Sequence, residues 1–230
     1  MKNEPIAPIT EDDIANYLAN TPDFFERHAG LLAAVQLSNP HGLRAVSLQE
    51  RQAVLLRDKI KGLEIKAVEM IRHGHENSAL ADKLHAWTCA LLRSADAKAL
   101  PALLARELTA QFGLPQVALK VWAVRPEFAA EPFAQGVSDD LMTFAASLMR
   151  PYCGANPGLE AAQWLAEPQA AASLALIPLR AAPAAQNPQA FGLLVLASPD
   201  ARRFAADMGT DLLERIGELA SAALLRLCPA

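Results

Sequence analysis

Among the residues able to carry chemistry, Cys153 has the most suggestive setting, between Tyr152 and Gly154 in a stretch, 151–158, that holds two prolines and two glycines. A thiol in an exposed turn can ionise and act as a nucleophile. The other cysteines, Cys89 and Cys228, fall in helical patterns, and an odd count of three with no Cys-x-x-Cys spacing gives neither a disulfide framework nor a structural zinc site. His73 and His75 lie two apart on a helix, about 200° around it, so they cannot chelate one ion from the same face. No metal ligand set or cofactor is expected. The acidic pairs Asp12-Asp13 and Asp139-Asp140 stand where helix N-termini favour negative charge, and no Gly-rich nucleotide loop, Walker lysine or Gly-x-Ser-x-Gly elbow occurs. Trp122, Tyr152, Trp164 and Ser173, with Cys153, are the candidate ligand-binding residues if the 126–172 region roofs a sheet face. The competing reading of the same aromatics is a filled core.

The elements that must position these residues follow from periodicity. Leu100, Leu104, Leu108 and Phe112 have helical spacing, Pro101 is tolerated in the first turn, and Gly113 with Pro115 stops the helix. Val117 to Val124 alternates like a strand, and Ser138 caps a helix through Leu141, Phe144 and Leu148. The stretch from Pro151 to Gly158 reads as a turn-rich loop. Ser173 to Leu179 and Phe191 to Ala197 read as adjacent antiparallel strands, and Thr210 caps a last helix carrying Leu212, Leu213, Ile216, Leu219, Ala220, Ala223, Leu224 and Leu227. This order suits an α+β fold, an antiparallel sheet with helices packed largely on one face.

Upstream lies the longest helix on offer. From Val46 to Leu92 there is no proline, and apolar residues recur at heptad spacing, with Ile60 at an a position and Leu56, Leu63, Met70 and Leu84 at d. These five are the expected dimer interface. At 1.5 Å per residue the stretch spans roughly 70 Å, longer than a small domain is wide, so one end is expected to project. Gly74, Asn77 and Thr88 weaken the second half, which reads as a helix packed on a domain. In a parallel pair Lys59 would face the partner's Glu64, a contribution of a few tenths of a kcal/mol. A long helix buried against its own chain is the alternative. Before it, Thr10 with Asp13 forms a capping-box pattern, and Thr21-Pro22-Asp23 opens a second short helix carrying Phe24 and Phe25. Leu31, Leu32, Val35 and Leu37 form an apolar cluster that Asn39, Pro40 and Gly42 end. The expected domains are a helical N-terminal region over 1–45, a connector and dimerisation helix over 46–92, and the sheet domain over 93–230.

The chain has 230 residues, 52% hydrophobic and 20% charged, ample for a buried core. No run of about 18 apolar residues marks a membrane span, and Met1 to Thr10 lacks the pattern of a signal peptide, so the expected address is the cytoplasm. The net charge of -4 is uneven: residues 44–93 carry nine Lys or Arg against six Asp or Glu, leaving twelve against nineteen elsewhere. That density reads as a solvated helix face rather than a nucleic-acid surface.

The stretches Asp13-Ile14-Ala15-Asn16-Tyr17-Leu18, Thr21-Pro22-Asp23-Phe24-Phe25, Pro40-His41-Gly42 and Ala45-Val46-Ser47-Leu48-Gln49-Glu50-Arg51-Gln52 resemble the start of an uncharacterised bacterial family, domain of unknown function 484. Echoes continue in Cys153-Gly154, Ala175-Leu176-Ile177-Pro178-Leu179, Phe191-Gly192-Leu193-Leu194 and Met208-Gly209-Thr210-Asp211. The resemblance implies a helical N-terminus followed by a GAF-like domain, and no agreed activity. Some GAF-fold proteins reduce free methionine sulfoxide through grouped cysteines, but here Cys89 and Cys228 do not fall beside Cys153.

Three readings follow. The leading one is a cytoplasmic, dimeric GAF-like regulatory or adaptor protein that senses a small molecule or presents a surface to an unidentified protein partner, with Phe24 or Phe25 as candidate contacts. The second is a thiol enzyme using Cys153. The third is weak nucleic-acid binding through the long helix.

Overall fold

A computed structural model describes residues 9–34, 48–182 and 189–229. Chain contacts divide it into two units, Met1–Glu64 and Ile65–Ala230, the boundary falling inside one long helix. The expected apolar positions Val35 and Leu37, the Asn39–Gly42 break and the first heptad residue Val46 lie outside the described residues.

The N-terminal unit holds three short helices, α1 (Glu11–Asn20), α2 (Phe24–Arg27) and α3 (Ala29–Ala34), and the start of α4 (Leu48–Arg93). The capping box at α1 is formed: the Thr10 hydroxyl accepts from the Asp13 N–H, and the Asp13 carboxylate accepts from the Thr10 N–H at 2.9 Å. The Thr10 hydroxyl also donates to the Asp13 carboxylate at 2.7 Å, and this bond, with that from the Thr10 N–H, holds the Asp13 carboxyl below the ordinary aspartate value. Thr21 closes α1 rather than capping the next helix, and its carbonyl accepts from the Phe24 N–H. Tyr17, Phe24 and Phe25 meet edge to face.

The second unit is α+β. After α4 come α5 (Leu100–Phe112), β1 (Gln116–Val121), α6 (Asp139–Ser147), β2 (Tyr152–Ala155), β3 (Ser173–Leu179), β4 (Gly192–Ser198) and α7 (Asp211–Leu224), with short 3₁₀ turns between. The four strands form one antiparallel sheet in the order β1-β4-β3-β2. As expected, Pro101 sits in the first turn of α5 and Gly113 ends it in the left-handed region at φ 60°. Ser138 caps α6 through the Leu141 N–H, while the Glu160 carboxylate accepts from both the Ser138 N–H and hydroxyl. Thr210 departs from expectation: its hydroxyl donates to Glu214 at 2.8 Å and caps no N–H of α7.

Both central strands are buried along their length, save the half-buried Pro178 in β3. This follows from cover on both faces. On one face Ala175, Ile177, Leu179, Leu194 and Leu196 pack with Trp87 and Leu91 of α4, Leu104 and Leu108 of α5, and Ile216, Ala220 and Leu224 of α7. On the other, Leu174, Leu176, Leu193, Val195 and Ala197 pack with Leu141 and Ala145 of α6 and with Ala161, Ala162, Leu165 and Ala171 of the roof. The helix α7 crosses β3 at Gly217, where a Cβ would stand 2.6 Å from Ile177 Cγ2. Only a residue without a side chain permits that approach.

A further expectation is corrected here. The stretch expected as a turn-rich loop contains β2, whose Tyr152 and Cys153 pair with Leu176 and Ala175 of β3. A four-residue edge strand between prolines is too short to show alternation. As expected of the second half of α4, its C-terminal end packs on the sheet domain, where Trp87 is fully buried and Leu91 nearly so.

Candidate functional site

The candidate ligand residues are dispersed by the strand alternation. Tyr152 lies opposite Leu176 and therefore on the roof face, 37% exposed, with its ring against Gly154. Cys153 lies on the other face, 8% exposed in the cluster shared with the helices. Burial pushes its thiol pKa up, which disfavours the thiolate that a nucleophile needs. Ser173 is buried and its hydroxyl donates to the Asp200 carbonyl at 2.6 Å. Trp122 is half-buried, its indole N–H donating to the Ala190 carbonyl at 2.8 Å, and Trp164 packs against the roof core. Among the described residues Trp164 borders a groove along β1 while Cys153 and Ser173 are buried, and small and branched side chains fill the space between roof and sheet.

Open grooves of the sheet domain include two of similar size. One, of about 450 Å³, runs between α7 and the end of β3, bordered by Arg150, Pro178, Arg180, Glu214, Glu218 and Ser221. Its walls are tied down. The Arg180 guanidinium donates to the Ala145, Ala146 and Leu148 carbonyls at the end of α6, at 2.6 to 3.2 Å, and the Arg180 N–H donates to Ser221 Oγ at 3.0 Å. The second, of about 430 Å³, lies along β1, between α5 and the Pro132–Ala134 turn. Lys98 and Glu131 close 2.7 Å apart at its rim, and the Lys120 ammonium donates to the Pro132 and Gln135 carbonyls.

Another exposed feature is apolar. On α4, Leu56, Ile60, Leu63 and Met70 are 55 to 71% exposed, four side chains on one helical stripe. Leu84, which shares their heptad register, is half-buried against the domain's own core instead. The change comes where Trp87 enters the core and its indole N–H reaches the Leu104 carbonyl at 3.4 Å. Trp87 was not among the expected residues. Its signal was a large apolar residue off the seam, since Trp87 falls at a g position between Leu84 and Leu91, both at d. The groove at Arg180 carried no motif, since β3 and α7 are far apart in sequence.

Among the described residues no group of three or more His, Cys, Asp or Glu is placed to hold a metal ion. Among them, too, no helix is long and apolar enough to cross a membrane.

Fold and site together define an α+β protein whose antiparallel-sheet domain is fastened to a long helix with an open apolar stripe. The chain belongs to the family described as protein of unknown function, DUF484, whose model matches residues 4–227. No curated protein matches it. Solved structures similar to it include the GAF domain of a putative sensor histidine kinase from Pseudomonas syringae pv. tomato, at 17% identity over 68% of this chain and 92% of that one, with a TM-score of 0.44. A GAF domain from an Acinetobacter phosphoenolpyruvate-protein phosphotransferase matches at 10% identity over 64% and 92%, with a TM-score of 0.45. A free methionine-R-sulfoxide reductase from Neisseria meningitidis matches at 13% identity over 63% and 87%, with a TM-score of 0.40. At such overlaps no ligand or reaction passes from these proteins to this chain.

Proposed function

We propose that this protein is a dimeric regulatory or adaptor protein of the cytoplasm, in which α4 joins two copies and the sheet domains present their surfaces to a separate protein partner. The observation that carries this reading is the exposed stripe Leu56, Ile60, Leu63 and Met70 on a helix whose other end is locked into a core by Trp87. Apolar side chains at a and d positions are stable in water only when a partner helix covers them. Catalysis through Cys153 finds no support in its burial, and nucleic-acid binding none in the mixed charge of α4. Light scattering on the full chain tests the dimer, and replacing Leu56 and Leu63 by Asp tests its seam, because unpaired charge at buried d positions is costly.

A small-molecule role has its best support in the groove at Arg150, Glu214, Glu218 and Ser221, which joins apolar walls to a few polar groups. Trp122, Tyr152, Trp164 and Ser173 would then act through packing and not by contact. A ligand present at a hundredfold excess over its dissociation constant stabilises the fold by roughly 2.7 kcal/mol. A thermal-shift screen of metabolites reads that directly, and Glu218→Gln should abolish the shift if the groove is the site.

A further inference from the structure

The seam accounts for only one apolar face of α4. At about 100° per residue, Val54, Arg57, Lys61, Ile65, Val68 and Arg72 fall within an arc of roughly 80°, centred about 140° around the helix from the seam. Val54, Ile65 and Val68 are 52 to 66% exposed. Arg72 pairs with Glu76 on the same helix, at 3.3 Å. A helix with apolar residues on two opposed faces needs two covers.

The complement is present on the chain itself. On α1, Ile14 and Tyr17 are exposed on one face with the half-buried Leu18. Residues 9–34 carry Glu11, Asp12, Asp13, Asp23 and Glu26 against the single cation Arg27, whereas residues 51–72 carry six Lys or Arg against three Asp or Glu. Apolar meets apolar, and acid meets base. Within the N-terminal unit Ile14, Tyr17 and Val54 are all exposed, so Ile14 and Tyr17 do not cover Val54 there.

We propose that the acidic N-terminal helices of one copy dock on this second face of α4 in the other copy, an exchange that rests on the dimer proposed above. The seam alone is short. Its apolar run from Leu56 to Met70 spans about two heptads, where roughly three to four sustain a coiled coil. Reciprocal docking of two sets of helices supplies the additional buried surface, and the charge difference fixes which face is used. In a parallel pair the two Val54–Val68 faces lie at the same end of the paired helices.

The test uses the full chain in light and heavy isotopic forms, unfolded together and refolded so that mixed dimers arise. A carbodiimide then joins carboxylates to lysines in contact, and mass spectrometry reads the joined peptides. Links from Glu11, Asp12, Asp23 or Glu26 to Lys59 or Lys61 are expected, about half of them between light and heavy chains. Links found only within one isotope would overturn the exchange, and so would their absence from a protein that is a dimer. Arg57→Glu with Lys61→Glu should weaken the dimer at least tenfold without moving the melting of the sheet domain, and an unchanged dissociation constant would contradict the docking. If light scattering instead gives a monomer, the dimer itself fails and this proposal with it. Seam variants that leave the dimer intact would refute only the seam.

Discussion

Replacing Trp87 by Ala would separate two roles of the long helix, as anchor and as dimer seam. Trp87 has no exposed surface, packs in the cluster of Leu91, Leu104 and Leu108, and donates its indole N–H to the Leu104 carbonyl. Truncating a fully buried Trp costs about 3–5 kcal/mol through lost transfer energy and the cavity left behind. For a chain of this length each kcal/mol moves Tm by roughly 2–4 °C, so the variant should melt about 6–20 °C lower. Trp87→Phe retains much of the volume but loses the hydrogen bond, and should fall between the two. Thermal unfolding followed by near-ultraviolet circular dichroism measures both. Ala at Met70, by contrast, touches the exposed stripe, and should leave the melting of the sheet domain within about 0.5 kcal/mol of the parent while weakening self-association. A Trp87→Ala protein that melts within 2 °C of the parent would refute the anchoring of α4, and the claim that its two ends do different work would fall.

Further expectations follow from the same packing. Gly217→Ala should destabilise although Ala is favoured over Gly within helices by about 1 kcal/mol, because its Cβ would meet the buried Ile177 methyl at 2.6 Å and overpacking costs about 1–3 kcal/mol; a raised Tm would show that α7 is free to lift from β3. With Ellman's reagent the half-buried Cys89 should react before Cys153, which lies in the core and whose thiol burial keeps protonated, as it does that of Cys228; equal rates at Cys89 and Cys153 would contradict the place of Cys153 in the core. Asp13 should titrate below the ordinary aspartate range. Its capping contribution is therefore fully present above that range and lost as pH falls through the lowered value, and Thr10→Val should return the midpoint toward the ordinary one in a carboxyl NMR titration.

Where periodicity was long, the sequence was sufficient. The apolar runs of β3 and β4 and the stripe of α7 repeat often enough to declare element and buried face, and the heptads of α4 often enough to declare the helix. The Thr10-Asp13 box and the Ser138 cap were legible because capping is local chemistry. The chemistry of Cys153 was not legible. Whether a residue between prolines lies in a turn or on an edge strand depends on β3, some twenty residues away, and that pairing turned Cys153 inward and Tyr152 outward. The extent of the coiled-coil pattern had the same difficulty: Leu84 carries the right heptad position, but the domain core claims it through Trp87. The groove beside Arg180 depends on α7 closing over the end of β3, so no short window of sequence contains it.

The central claim is that the stripe Leu56, Ile60, Leu63 and Met70 is covered by a second copy. Light scattering coupled to gel filtration, at micromolar concentration, tests it most directly. The account predicts twice the 24.6 kDa chain mass for the parent and a single chain mass for Leu56→Asp with Leu63→Asp, each with the sheet domain still folded. A parent protein that elutes at 24.6 kDa across that range would contradict it.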